Sequence, residues 1–496
     1  MTAGLLDERA TDQLRTALRG FTVDAVHERL GLVGQAALDR ADLCGVAREL
    51  RGDTGVLATL IRLFLLGEPV DEAAAATALA PLPLAAAGEL LERSGGEVRA
   101  RVDVRPYAEP GADWLVVSDF GAEVRGGPLA SDHVLGIGAA SLTLAQATPR
   151  DAVGRALDVG TGCGVQALHL ARHAGSVVAT DISARALRMA ATTAALSGQQ
   201  WELRAGSLLE PVAGERFDLV VANPPFVVSG GAIGHEYRDG GRAGDGISEA
   251  LVRGLPGVLA EGGTAQLLAN WVIGAEQGWD ERVAGWLAGS GCDAWVWQRE
   301  VADPGEYVTL WLRDAGERPG TARWAARYGE WLDWFAAAGV VAVGMGLITL
   351  WRGGSGSPVV VCEDVPQAVQ QPSGAQFPAW VARQRWLRDT SDPALLAARL
   401  RAAPGLVLDR SAIVGDGGWQ DAAAVLRQPD GLRWAVEADE PVAALVAGCD
   451  GTVPLEQPVA VLAAALGRPV GEVASAVLPV VRDLVGRGLL LPEGLR

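Results

Sequence analysis

Cysteine is too sparse and too scattered to organise this chain. Cys44, Cys163, Cys292, Cys362 and Cys449 are odd in number and form no paired spacing, which excludes a disulfide framework or a zinc site read from sequence. No metal is therefore expected. No run approaches the roughly 20 apolar residues that span a bilayer. The opening MTAGLLDERATDQ carries acids where a signal peptide needs an apolar core, so a soluble cytoplasmic protein without a membrane partner is expected. Lysine is absent, and 60 acids against 42 arginines leave a formal charge of -18. That charge repels phosphate and weakens any reading in which the whole surface grips nucleic acid, while a local basic patch stays open.

What is present is an ordinary globular composition, 49% apolar and 21% charged, on 496 residues, too many for one hydrophobic core. Residues 1–130 show apolar spacings of three to five, as in Leu14, Leu18, Val23, Val26 and Leu30, and then an alternating stretch around Pro110-Gly111. These patterns predict amphipathic helices followed by a hairpin, a helical, winged-helix-like module. Residues 131–316 switch to short apolar runs between helical stretches: Ala156–Val159, Ser176–Thr180, Leu219–Ala222, Ala265–Leu268 and Val308–Leu312. That rhythm predicts an α/β, Rossmann-like, doubly wound parallel sheet. The polar Glu317–Gly320 marks a boundary, after which 317–436 reads as a small α+β domain and 437–496 as a second winged-helix-like module.

The chemistry begins at Leu157-Asp158-Val159-Gly160-Thr161-Gly162-Cys163-Gly164, where an apolar strand turns into a helix. Alternate glycines let the backbone turn sharply and approach a nucleotide-like ligand that a Cβ would push away. The dinucleotide fingerprint is G-x-G-x-x-G, with a helix N-terminus for a pyrophosphate. Here the loop is G-x-G-x-G led by Asp158, an acid that repels pyrophosphate and suits a cationic ligand, unless it serves only as a turn acid. Asp181 closes the second strand, where a carboxylate can take both ribose hydroxyls. Cys163 has no neighbouring base to activate it, and His169 and His173 read as packing or surface residues on the following helix.

The segment resembles the first motif of class I S-adenosylmethionine-dependent methyltransferases. The resemblance implies S-adenosylmethionine as cofactor, with Asp158 near its amino and sulfonium end. It places Gly160, Thr161, Gly162, Gly164, Asp181, Ile182 and Asn223 among the cofactor-binding residues. It also implies an adenine contact in Gly206–Leu209, where Ser207 stands in the place of the family's frequent acid and Leu208 is its neighbour.

An apolar strand then ends in Asn223-Pro224-Pro225-Phe226. Two prolines stop the sheet and fix the backbone, so the Asn223 side chain and the Pro224 carbonyl offer acceptors and Phe226 a flat face. An amide or exocyclic amine is a poor nucleophile because its lone pair is delocalised. Two acceptors on its hydrogens would pyramidalise the nitrogen and free the pair for in-line attack. Strand and motif together resemble the Asn-Pro-Pro-Tyr/Phe signature of class I N-methyltransferases, which include HemK-type glutamine methyltransferases and enzymes acting on RNA and DNA amines. The resemblance covers roughly residues 135–315.

The glycine-rich Tyr237–Gly246 is similar to the loop after that signature in glutamine-amide methyltransferases and tilts the expected acceptor toward a protein side-chain amide, although such a loop also serves as a mobile lid. His133, His235 and Tyr237 are candidate pocket-lining residues. RNA, or DNA, with adenine-N6 or guanine-N2 as acceptor is the alternative, because winged-helix-like flanks and the same motif also serve flipped bases. Arg93, Arg99, Arg101 and Arg105 would then form one face. Two further readings remain open: a cofactor-sensing winged-helix regulator without turnover, and a dinucleotide oxidoreductase.

Overall fold

The computed structural model describes residues 2–127, 129–231, 240–353 and 357–495. It divides into two compact units, one of Met1–Ala145, Asp151–Gly353 and Val360–Asp364, the other of Gln146–Arg150, Gly354–Val359 and Val365–Arg496.

The first unit is built on one eight-stranded sheet. Its strands are β1 (Val153–Val159), β2 (Ala174–Asp181), β3 (Glu202–Ala205), β4 (Phe217–Ala222), β5 (Leu259–Gly274), β6 (Cys292–Ala302), β7 (Val340–Arg352) and β8 (Val360–Asp364). Their spatial order is β8-β6-β7-β5-β4-β1-β2-β3. Strand β7 runs antiparallel to both β5 and β6, and the other neighbours are parallel. The Rossmann-like α/β class follows from this. Apolar runs such as Leu219–Ala222 are buried, as strands covered by helices on both faces must be. The chain moves outward from β1 to β3 and then crosses to β4, so the topological switch lies between β1 and β4. In such sheets ligands bind at the carboxyl ends beside the switch. Val159 pairs with Ala222, which places Gly160 and Asn223 as the next residues on adjacent strands.

Several expectations are corrected here. Val308–Leu312 is not a strand but lies in the helix Pro304–Asp314, which Asp303 caps by accepting from the amides of Gly305 and Glu306. Tyr307, Val308 and Leu312 form its buried stripe, a helical spacing that a short apolar run conceals. The boundary expected at 316 falls inside the sheet, because β7 and β8 complete it. The polar Glu317–Gly320 joins two helices, Pro304–Asp314 and Ala322–Ala337. The buried Glu317 carboxylate takes hydrogen bonds from Arg323 and Arg327, both at 2.9 Å. Polar composition there marks a fastened turn, not a linker.

The N-terminal segment carries helices at Glu8–Ala17, Val23–Asp39, Leu43–Glu49 and Val56–Phe64, and then a small sheet in which Glu97–Ala100 lies between Val70–Asp71 and Leu91–Ser94. The hairpin Asp103–Glu109 with Ala112–Ser118 turns at Pro110-Gly111, where Gly111 has φ +80°. It docks on the helix Ala184–Leu196. Val117 N–H donates to Thr193 Oγ1 at 3.0 Å and Leu115 N–H to Ser197 Oγ at 3.1 Å. One core cluster runs through both, from Leu14 and Phe64 to Leu168 and Met189.

In the second unit Arg399–Ala402 lies between Asp450–Pro454 and Leu490–Pro492, packed with helices Glu440–Ala447, Glu456–Leu466 and Val470–Arg487. The boundary expected at 436 is thus crossed by strand pairing: the last sixty residues borrow their middle strand from upstream. No helix among the described residues is long and apolar enough to cross a membrane.

Candidate active site

Gly160, Gly162 and Gly164 have φ of +73°, +55° and +90°, a left-handed conformation that glycine adopts without strain. At Gly164 a Cβ would stand 2.7 Å from the Trp201 ring. The loop is also tied from the neighbouring strand. Asp181 Oδ2 accepts from Gly162 N–H and Oδ1 from Ser183 N–H, each at 2.9 Å.

A cavity of about 550 Å³ opens at this point. The glycine loop, Asp181, Ile182, Ser207, Leu208 and Asn223-Pro224-Pro225 contribute to its wall. The structure thereby brings together Gly160, Thr161, Gly162, Asp181, Ile182, Ser207, Leu208, Asn223, Pro224 and Pro225 at the switch point. Leu208 holds φ +48°, which turns the loop after β3 toward the cavity. An ideal Cβ on Gly160 would lie 3.8 Å from the Asn223 carbonyl oxygen, which shows how closely the two motifs approach.

Asp158 lies behind this wall. It is fully buried, its Oδ2 accepts from Thr161 Oγ1 at 2.6 Å, and its Oδ1 has no hydrogen-bond partner. Burial pushes its carboxyl up to about 7, against the Thr161 hydrogen bond, with Asp181 adding to the rise. An orphaned buried carboxylate oxygen beneath a glycine cradle fits a ligand bearing a positive charge. Residues Gly160–Gly162 would hold that end, and Asp181 a pair of hydroxyls. A nicotinamide dinucleotide would instead bring a diphosphate against Asp158.

His133 reaches the cavity wall from the segment before β1. It is buried, with Nδ1 3.8 Å from Asp119 Oδ2, and burial lowers its pKa against the pull of Asp119. Asp119 also accepts from Val134 N–H at 2.9 Å and from Arg185 at 2.5 Å. Sequence reasoning missed Asp119 and Arg185. The only local sign of Asp119 is an acid that closes the hairpin strand. Phe226 lies beyond the cavity wall, its ring edge-on to Trp311 with centroids 6.0 Å apart. His235 and Tyr237 lie outside the described residues. The glycine-rich loop re-emerges at Gly240 on the cavity wall and ends at Asp245, another residue whose role was missed. That buried carboxylate accepts from Val272 N–H at 2.8 Å and twice from Arg282 at 2.7 Å. Burial pushes the Cys163 thiol up to about 12, and His169 Nε2 is 2.8 Å from Tyr107 Oη in the packing beneath the hairpin.

Residues 135–284 match the methyltransferase small domain family. Residues 19–101 and 378–492 match two families, each described as a domain of unknown function. The chain is 37% identical over 117 residues to a ribosomal RNA small subunit methyltransferase C of Alcanivorax borkumensis, covering 24% of this chain and 32% of that protein. It is 37% identical over 138 residues to a release factor glutamine methyltransferase of Xylella fastidiosa, covering 26% and 49%. It is 31% identical over 173 residues to a ribosomal RNA small subunit methyltransferase C of Escherichia coli O1:K1, covering 34% and 46%. The chain thus spans between 32% and 49% of the length of these relatives. The matched segment is a class I S-adenosylmethionine-dependent methyltransferase domain. Within that class it is related to the HemK-type and ribosomal RNA N-methyltransferases.

Proposed function

We propose that the protein transfers the methyl group of S-adenosylmethionine to a planar, weakly nucleophilic nitrogen. The observation that carries this reading is the position of Asn223: on the cavity wall, at the carboxyl end of β4, one residue beyond the pairing of Val159 with Ala222. The cofactor, when bound, supplies an electrophilic methyl on sulfonium. The Asn223 side-chain oxygen and the Pro224 carbonyl accept the two hydrogens of the incoming amine. Held in this way, the nitrogen lone pair points into the cavity, and positive charge developing on nitrogen meets two oxygen dipoles. On receiving that methyl group the nitrogen would carry one proton too many, and it would lose this proton to solvent while Asn223 and Pro224 hold the amine in place. Phe226 would lie against the acceptor plane.

The acceptor we favour is a protein glutamine amide. Supporting it are the formal charge of -18 and the arginines of the N-terminal sheet and hairpin. Arg93 pairs with Glu72 and Arg105 with Asp103, and Arg99 lies opposite Glu92. An RNA base amino group is the second reading, supported by the likeness to proteins named ribosomal RNA small subunit methyltransferase C. The order of helices and strands in both flanking segments supports a winged-helix-like architecture, the second with its middle strand displaced upstream.

The test is incubation of the purified chain with methyl-labelled S-adenosylmethionine and cell extract, followed by protease or RNase. Label released by protease alone is expected. Label released by RNase alone would overturn the protein acceptor, and no label in any fraction would overturn methyl transfer itself.

A further inference from the structure

The acceptor motif contains two prolines, yet the chain leaving it is held, beside the bridge of Ser229 with Gly244, by groups that come from far along the chain. Val228, two residues after Phe226, is fully buried. Its N–H donates to the Tyr307 hydroxyl at 2.9 Å, and its carbonyl accepts from Trp331 Nε1 at 3.0 Å. The Tyr307 oxygen also accepts from Asn270 Nδ2 at 2.8 Å. Tyr307 is on the helix Pro304–Asp314, Trp331 on Ala322–Ala337, and Asn270 on β5, three residues beyond the Leu267 that pairs with Ala222. Tyr307 has no exposed surface and Asn270 is 3% exposed, so water does not substitute for either partner.

The same two helices seat the motif's ring. Trp311, one turn after Tyr307, meets Phe226 edge-on, and Tyr307, Trp331 and Phe335 pack their rings together at 6.1–6.4 Å. A merely apolar packing site would be filled by phenylalanine as well as by tyrosine. The hydroxyl adds two accepted hydrogen bonds, one to the strand beside β4 and one to the chain leaving Phe226.

We propose that Tyr307 is a positioning residue for methyl transfer. Its hydroxyl, with the Trp331 indole, locks Val228 to the end of β5, so that Asn223–Phe226 keeps a fixed height against the cofactor cavity. This rests on the reading of Asn223–Phe226 as the acceptor motif. Tyr307 does not line the cavity. It acts by denying the motif alternative positions, and small displacements of a reacting group are costly in rate.

The test compares Tyr307→Phe and Trp331→Phe with Phe335→Leu, which loosens the same cluster without touching either hydrogen bond. Three readouts are taken on the full chain: hydrogen exchange of the segment 226–229, calorimetric affinity for S-adenosylmethionine, and the labelling rate of extract at saturating cofactor. Tyr307→Phe is expected to speed exchange in 226–229 by about tenfold or more and to leave it unchanged at 158–164. It is also expected to hold cofactor affinity within about twofold while transfer slows by about tenfold to a hundredfold. Unchanged exchange at 226–229 in Tyr307→Phe would overturn the proposal. So would an equal loss of transfer in Phe335→Leu at matched melting temperature. If the unaltered chain labels nothing, the acceptor reading fails, and exchange still decides whether Tyr307 holds the segment.

Discussion

The glycine loop and the Asn223–Phe226 segment, proposed as the cofactor and acceptor sides of the site, follow two neighbouring strands but are held by different means. The glycine loop is fixed locally: three left-handed glycines, Thr161 on Asp158, and Asp181 reaching across from the next strand to Gly162 N–H. The acceptor motif cannot fix itself so. Pro224 and Pro225 have no N–H to donate, so at these two positions the chain gives no bond to a neighbouring strand. Beside the backbone bridge of Ser229 with Gly244, it is held by side chains 79 and 103 residues from Val228, those of Tyr307 and Trp331. A motif with two prolines draws bracing from beyond its own four residues.

The largest expected effect separates the two sides cleanly. Asn223→Ala removes one acceptor from the nitrogen and touches none of the loop bonds. Methyl transfer should fall by about a hundredfold or more, while affinity for S-adenosylmethionine by calorimetry stays nearly intact. Loss of both together would mean that the two sides are one unit and that Asn223 is misassigned. Gly164→Val is the converse. A side chain there adopts φ +90° at about 1–3 kcal/mol and meets the Trp201 ring, so cofactor binding and the melting temperature should both drop. Retained affinity in that variant would break the claim that the loop is fixed by its own backbone.

The same contrast explains which features are legible in the amino-acid sequence. The glycine loop, Asp181 and the proline-ended strand are contiguous patterns, and all reach the cavity wall. The sheet's far half was hidden for a physical reason. The stripe Tyr307, Val308 and Leu312 is apolar at helical spacing but looks like a short strand, and a polar turn fastened by Glu317 looks like a linker. A boundary at 316 leaves β7 and β8 outside the domain they complete. Asp119, Tyr307 and Asp245 act through contacts distant in sequence, which no spacing rule anticipates. Asp158 was legible as an acid facing a cation, but its place behind the wall, reached through Thr161, was not.

Asp158 offers a finer test of the cofactor side. Its folded pKa, about 7, is above the usual 3.8, so between those values the folded chain binds more protons than the unfolded one. Stability from this group is therefore greatest below about pH 4, declines as pH rises, and levels off above about pH 7. Asp158→Asn should remove that slope, and relative to the unaltered chain its melting temperature should gain at about pH 8. A positively charged ligand favours the carboxylate, so S-adenosylmethionine should bind with proton release below about pH 7 and more tightly as pH rises. Calorimetry in buffers of different ionisation enthalpy measures both. A flat profile shared by Asp158→Asn would confine Asp158 to holding Thr161.

The smallest effect belongs to the side chain in the middle of the loop. Cys163 sits between Gly162 and Gly164, buried, with its thiol pushed up to about 12 by desolvation. A thiol held neutral is neither a nucleophile nor a counter-charge for the cofactor, and its neighbours Leu168 and Met189 belong to the same apolar cluster. What the loop needs at this position is small volume. Cys163→Ala should therefore leave cofactor affinity and transfer within about twofold, and iodoacetamide should label the folded chain at the exposed Cys44 before Cys163. Rapid alkylation of Cys163, with loss of cofactor binding, would show that the loop opens in solution and that its order depends on more than its own glycines.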